Sequence, residues 1–173
     1  MSTTADLKLM ADRVAITQVL YRLARALDRL DEDALRAVFA EDAHVELGVF
    51  HNGGVEGFIP VAMGFMASME RTQHSLSNVL IEISGDDAAV ESHVHAQHVL
   101  TEDGTQQELL VGARYLTRLR RHGDGWLIVT HTEVMDWAVK RPLGSWFADN
   151  QELPKGTRGK DDPSYALFAS LPS

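Results

Sequence analysis

The sequence contains no cysteine, which excludes disulfide bonds, thiolate nucleophiles and cysteine-ligated zinc or iron–sulfur centres. Positive charge is also scarce, because 16 Lys and Arg stand against 25 Asp and Glu and leave a net charge of −9. Nucleic acids and anionic membranes are bound through basic surfaces, so neither is an expected partner. The 173 residues, 45% of them hydrophobic, suit one globular domain that binds a small molecule.

Long hydrophobic runs and familiar catalytic motifs are missing as well. The most apolar stretch, residues 58–67, is interrupted by Pro60 and Gly64 and is much shorter than the roughly 20 residues that span a bilayer. The N-terminal residues lack the basic and apolar segments of a signal peptide, so we expect a cytoplasmic protein. The motifs GxGxxG, GxxxxGK[ST], GxSxG and HExxH are absent. Any chemistry should therefore use histidine and carboxylate side chains, with no cofactor.

Helical periodicity dominates the first 70 residues, and strand patterns follow. Apolar spacing predicts a helix over residues 4–28, and Asp31 suits the N-cap of a second helix. A strand is expected at 43–50 and a third helix from about Pro60 to Met69. Longer strands are predicted, separated by turns, at 76–83, 88–100, 108–120 and 126–137. This order predicts an α+β domain over residues 1–137, with a curved, mostly antiparallel sheet wrapped around the helices and a ligand cavity at the open end of this cone.

Residues 138–173 lose periodicity and are predicted to form an irregular C-terminal tail. The tail contains four aromatic residues, Trp146, Phe147, Tyr165 and Phe168. These side chains could pin the tail to the outside of the domain. Alternatively, the tail could cover the cavity or reach a neighbouring subunit, where aromatic residues are favoured.

Asp28 and His74 are the first candidate catalytic residues. Asp28 ends the long helix seven residues after Tyr21, so both side chains lie at nearly the same angle beside the apolar stripe. Asp28 could simply hydrogen-bond the following turn. His74 precedes a predicted strand, and a histidine paired with a buried carboxylate is a good general base, because the carboxylate holds its tautomer and stabilises the imidazolium.

Two predicted strands carry further histidines. Alternation places His93, His95 and Gln97 on one strand face and His98 on the other. The histidines of the first face could bind a metal, line the cavity or lie at the surface. No carboxylate follows at a spacing that would complete a metal site, so no metal is expected. His131, in the last strand, is expected to point into an apolar region with Leu127 and Val129.

Several segments in this order resemble the SnoaL-like branch of the NTF2-like superfamily. They are Tyr21–Asp31, Ala37–Ala43, His74–Asn78, Trp126, Val134–Trp137 and, more loosely, Arg158–Tyr165. The branch includes scytalone dehydratase, bile-acid 7α-dehydratase and hexachlorocyclohexane dehydrochlorinase, which are cofactor-free eliminating enzymes with a cone-shaped fold.

The resemblance implies a dehydratase-like lyase that acts on a hydrophobic cyclic or aromatic molecule. Asp28 and His74 fall on the branch's catalytic pair, and His131 falls where the dehydrochlorinase has an assisting arginine. The implied substrate-binding residues are Tyr21, Leu23, Asn78, His95 and Gln97, with Leu23 at a position where dehydratases often have tyrosine. The same pair could serve an isomerase or cyclase, and the fold also occurs in non-catalytic binding domains. Relatives imply a homo-oligomer, either a dimer or a trimer.

Overall fold

A computed structural model describes residues 3–172. Helix α1 spans Thr4–Arg29, and it begins at a capping box in which the side chains of Thr3 and Asp6 each bind the other's backbone amide. It ends at Leu30, whose left-handed backbone (φ 52°) turns the chain. Helix α2 spans Glu32–Arg36, and its N-cap Asp31 accepts a 3.1 Å hydrogen bond from the amide of Ala34. Both sequence-based helix predictions are confirmed.

Helix α3 spans Val55–Ala67, so the expected start near Pro60 is wrong. Pro60 lies in the second turn, where its missing N–H removes one hydrogen bond to the preceding turn. The earlier start buries Val55, Phe58 and Ile59 in the core, and this burial offsets the lost bond.

Six strands form one sheet in the order β2-β1-β6-β5-β4-β3. Only the β1–β6 pair is parallel, and the other neighbours are antiparallel. The α+β fold with N-terminal helices and a mostly antiparallel sheet is thus confirmed. The strands span Phe39–Glu46 (β1), Asn52–Gly54 (β2), Arg71–Ser84 (β3), Asp87–Glu102 (β4), Thr105–His122 (β5) and Gly125–Pro142 (β6).

One face of this sheet, called the inner face here, is covered by α1, which contacts both β3 and β6. The helix buries Ile16, Leu20 and Leu23 in the main core, together with Leu119 and Ile128 of the sheet. A second cluster on the inner face joins β4 and β5 through Val94, Ala96, Val111, Ala113 and Tyr115. The packed part of the inner face is therefore apolar. Polar side chains on this face are exceptions.

Strand β6 contains an irregularity that decides where its functional side chains point. Its register with β5 shifts so that Ile128 pairs with Leu119 and Thr130 pairs with Arg118, which leaves Val129 without a partner. The alternation changes phase at this bulge. Ile128 and His131 consequently share the inner face. His131 faces inward as expected, but its companion is Ile128, and the expected grouping with Leu127 and Val129 is wrong.

The tail beyond β6 packs on the C-terminal end of α1. It contains two short helices, α4 (Trp146–Asp149) and α5 (Pro163–Ala169). The amide of Gly159 donates to the carbonyl oxygen of Arg29 at 2.7 Å, and the Tyr165 hydroxyl donates to Asp31 at 2.6 Å. The boundary between domain and tail at residue 137 stays a prediction, although β6 itself continues to Pro142. Within residues 3–172, no helix is long and apolar enough to cross a membrane.

Candidate active site

Asp28 and His74 meet where the end of α1 crosses the start of β3. The Nδ1 atom of His74 lies 2.7 Å from Oδ1 of Asp28, and the His74 backbone amide donates to Oδ2 at 2.9 Å. The Thr72 hydroxyl adds a third hydrogen bond to Oδ1 at 3.0 Å. A carboxylate can only accept, so Nδ1 carries the proton in this pair. In the neutral imidazole Nε2 then has the lone pair, and Nε2 forms no hydrogen bond with any described residue.

The pair is shielded from water, with 3% of the His74 side chain and 12% of the Asp28 side chain exposed. Burial raises the pKa of Asp28, but the hydrogen bonds from His74 and Thr72 and the charge of His74 outweigh it, so the pKa lies below its usual value. Asp28 is therefore an anion at neutral pH, and it can stabilise an imidazolium at His74.

A cleft of about 240 Å³ opens onto this pair. Tyr21 and Asp28 both line it, as their seven-residue spacing predicts. The lining residues are Tyr21, Ala24, Arg25, Asp28, Arg29, His74 and Leu76. The cleft lies between α1 and the start of β3 and includes both residues of the pair, so a small molecule can approach His74 there.

Strand β4 faces the opposite way from the sequence-based expectation. His95 is exposed on the outer face, 5.6 Å from the Trp137 ring, and Gln97 on the same face bonds Glu108. His98 lies on the inner face, with its ring 5.6 Å from that of His74. The small apolar residues Val94 and Ala96 are buried on the inner face, and their burial determines which alternate residues of β4 point inward. His95 and Gln97 are therefore removed from the candidate site.

Two other expected substrate-binding residues also lie elsewhere. Leu23 is 1% exposed and belongs to the hydrophobic core, because its angle on α1 points at the sheet. Asn78 is exposed at the register shift of β3, where its backbone is left-handed (φ 49°). Neither residue lines the cleft beside His74.

His131 is buried, and its Nδ1 lies 3.0 Å from the Thr117 hydroxyl. The Tyr115 ring packs edge-on against it, with ring centroids 4.6 Å apart. Burial lowers the pKa of His131 to about 4, so its imidazole is neutral at pH 7. A neutral imidazole can donate one hydrogen bond to a substrate oxygen.

Two charged residues near the pair were missed by sequence reasoning. Glu133 is half-buried on β6 opposite Tyr115, and burial raises its pKa although the charge of His74 opposes this. Arg158, in the tail, donates from Nη1 to the Met66 carbonyl oxygen, and burial lowers its pKa. The positive charge of Arg158 acts on Asp28 and His98. The signal for Glu133 was its two-residue spacing from His131, whereas the tail arginine had no local signal.

Metal-ligating residues do not gather in the described residues 3–172. No group of three or more His, Asp or Glu side chains is arranged there to hold an ion. The chemistry that this site can support is proton transfer by His74, with hydrogen bonding from neighbouring side chains.

Comparison with known proteins identifies the family. The SnoaL-like domain model matches residues 8–132, so the chain belongs to the SnoaL-like family. This confirms the resemblance drawn from the helix end, the His74 segment and the last strand. Among curated proteins, the chain is 31% identical over 144 residues to terrestric acid biosynthesis cluster protein E of Penicillium crustosum, covering 75% of this chain and 90% of that protein.

Solved structures share the fold. Hexachlorocyclohexane dehydrochlorinase LinA-type3 from Novosphingobium barchaimii is 22% identical with a TM-score of 0.70, covering 80% of this chain and 94% of that one. A candidate scytalone dehydratase from Novosphingobium aromaticivorans is 19% identical with a TM-score of 0.69, covering 79% of this chain and 92% of that one. At these identities the likeness concerns the fold alone.

Proposed function

We propose that this protein is a cofactor-independent lyase that removes water from a hydrophobic cyclic or aromatic small molecule. The 2.7 Å contact between Asp28 and His74 at the wall of the cleft carries the proposal. Two fold relatives whose names describe elimination reactions support it, as does a sequence relative named for a biosynthesis cluster.

The reaction begins when Nε2 of His74 removes a proton from a carbon next to a substrate carbonyl group. Asp28 holds Nδ1–H and stabilises the imidazolium that forms. With the Thr117 hydroxyl donating to its Nδ1, His131 donates a hydrogen bond from Nε2 to the carbonyl oxygen as negative charge develops there. Expulsion of a hydroxyl group from the adjacent carbon completes the elimination.

The same base could move a proton without any loss of a group, which would make the protein an isomerase or cyclase. The half-buried carboxyl group of Glu133 near His74 favours elimination, because a leaving hydroxyl group needs a proton donor. Product mass separates the two reactions, since only elimination loses water. Tight binding with no product would instead indicate a non-catalytic binding domain.

The test is a screen of hydroxylated cyclic and aromatic ketones, read by mass spectrometry, followed by variants of the pair. His74→Ala and Asp28→Asn should lower turnover by roughly 100- to 10,000-fold, the usual contribution of a general base. His95→Ala and Asp136→Asn are matched controls, because both residues are exposed away from the cleft. Near-normal turnover in His74→Ala would rule out this mechanism.

A further inference from the structure

The dehydration mechanism leaves the proton donor for the departing hydroxyl group unassigned. A hydroxide ion is a poor leaving group, so general acid catalysis at the oxygen is needed for a useful rate. In the proposed mechanism, His74 and Asp28 already serve to remove the carbon-bound proton. The donor must therefore be another group, within reach of the carbon next to the one that His74 attacks.

Three inner-face candidates are poorly suited to this task. His131, with a pKa of about 4, is only about one-thousandth protonated at pH 7. Burial lowers the pKa of His98 too, and its Nδ1 is engaged with the Leu109 carbonyl oxygen at 3.3 Å. Burial raises the pKa of Tyr115 so far that its hydroxyl group holds its proton.

Glu133 differs from these residues in its place on the inner face and in its carboxyl group, which is available to donate a proton. It follows His131 by two residues on the inner face of β6, and it pairs across the sheet with Tyr115. Among the described residues, its carboxyl group forms no hydrogen bond or ion pair. His74 lies across the inner face on β3, and α1 packs against both strands. The charge of His74 acts on the Glu133 carboxyl group across this face.

We propose that Glu133 is the general acid of the site, which donates its proton to the substrate hydroxyl group as that group leaves. The C–H proton moves to Nε2 of His74, a C=C bond forms, the C–O bond breaks, and the departing oxygen leaves as water with the proton of Glu133. Solvent then takes the proton from His74 and returns one to Glu133. This inference rests on the proposed dehydratase function and adds the residue that completes its proton balance.

The charges around Glu133 fit this role. The titratable groups that face it are Tyr115 on β5, His131 on β6, His74 on β3 and, beyond His74, Asp28 on α1. Burial keeps Glu133 protonated to a higher pH than usual, whereas the positive charge of His74 lowers the pKa of Glu133. When His74 takes the substrate proton, Glu133 therefore becomes a stronger acid as the oxygen begins to leave.

The experiment separates proton abstraction from loss of water. A substrate dehydrated by the wild type is incubated in deuterium oxide, and deuterium entry at its acidic carbon is followed alongside product formation. Glu133→Gln should keep deuterium exchange within about threefold and should lower dehydration by at least about 100-fold. Glu82→Gln is the matched control and should change neither rate, because Glu82 is an exposed glutamate on β3 that forms no ion pair within residues 3–172.

Other outcomes are equally decisive. Dehydration at the wild-type rate in Glu133→Gln would overturn the assignment, and loss of exchange in that variant would show that Glu133 serves the carbon step or the fold. Failure of the wild type to dehydrate any substrate in the screen would refute the proposed function itself. A measurement that needs no substrate covers that case, since the ¹³C carboxyl resonance of Glu133 should titrate at higher pH than that of Glu82. Equal midpoints would also overturn the proposal.

Discussion

The hydrogen bonds at Asp28 decide which nitrogen of His74 can act as a base. Both carboxylate oxygens are engaged by Thr72 and by the backbone and ring of His74, so the imidazole is held in one orientation and one tautomer. The role of His98 is less direct, because its ring packs edge-on against His74 and restricts the ring's rotation. The proposed catalysis therefore depends on a few short contacts around one imidazole.

His131 gives a prediction at this scale. Its folded pKa of about 4 lies below the ordinary value of 6.5, so the unfolded state binds its proton first as pH falls. The contribution of His131 to the free energy of unfolding should be intact above pH 6.5, should shrink as pH falls to about 4 and should be constant below that. Histidine ¹⁵N chemical shifts measure the midpoint, and His131→Gln identifies the resonance. A midpoint near 6.5 would contradict the described burial.

At the scale of single elements, β6 and the tail determine which side chains surround the pair. The bulge at Val129 aims both His131 and Glu133 at the inner face. The tail is held by Asp162, which accepts from Ser164 and Thr157 and lies 3.3 Å from Arg29. These contacts lower the pKa of Asp162 to about 2, so its carboxylate is charged over the working pH range. Both elements therefore act on the site through the side chains that they position near the pair.

The tail gives the second prediction. Asp162→Asn weakens the contacts that hold residues 157–164, so trypsin should cut at Arg158 and Lys160 about tenfold faster, as expected for loss of a charge-assisted hydrogen bond. The contribution of Asp162 is present above pH 3.8 and should be lost as pH falls through about 2, because the folded pKa is the lower one. Asp161→Asn, next to it and exposed, is the control. Equal cleavage of the two variants would show that Asp162 does not anchor the tail.

At the scale of the whole molecule, side-chain contacts hold the N-terminal part of α1 against β5 and β6. Asp12 is buried and accepts two 2.8 Å hydrogen bonds from Arg121, while the Trp126 ring N–H donates to it at 3.2 Å. The Arg121 guanidinium also lies over the Trp126 ring, 4.4 Å from its centroid. These contacts keep α1 against β5 and β6, which positions Asp28 at the other end of the same helix.

This junction gives the third prediction. Asp12→Asn removes the buried one of the two carboxylates that Arg121 contacts, since Asp86 accepts from its Nε at 2.9 Å. The substitution should lower the free energy of unfolding by about 2 kcal/mol, the usual scale of hydrogen bonds to charged groups. Asp42→Asn is the control, because the Asp42 side chain is 74% exposed and lies 3.7 Å from Arg120. Urea denaturation at neutral pH measures both. A loss no larger than that of Asp42→Asn would contradict this role.

The sequence could predict what depends on local pattern. The bounds of α1, the Asp31 cap, the strand-rich second half and the pairing of Asp28 with His74 follow from periodicity, capping chemistry and family resemblance. The predicted orientation of β4 was wrong because it was based on the histidines. The burial of Val94 and Ala96 determines which face of the strand points inward. Glu133 was missed although its two-residue spacing from His131 puts both residues on one strand face. Arg158 was missed because it lies in a distant tail with no local signature.

The central claim is that His74, held by Asp28, removes a proton from carbon. The most direct measurement is deuterium entry from solvent at the acidic carbon of a substrate, compared between His74→Ala and the outer-face control His95→Ala. We predict that exchange falls by at least about 100-fold in His74→Ala and stays within twofold of wild type in His95→Ala. Equal exchange in the two variants would contradict the claim.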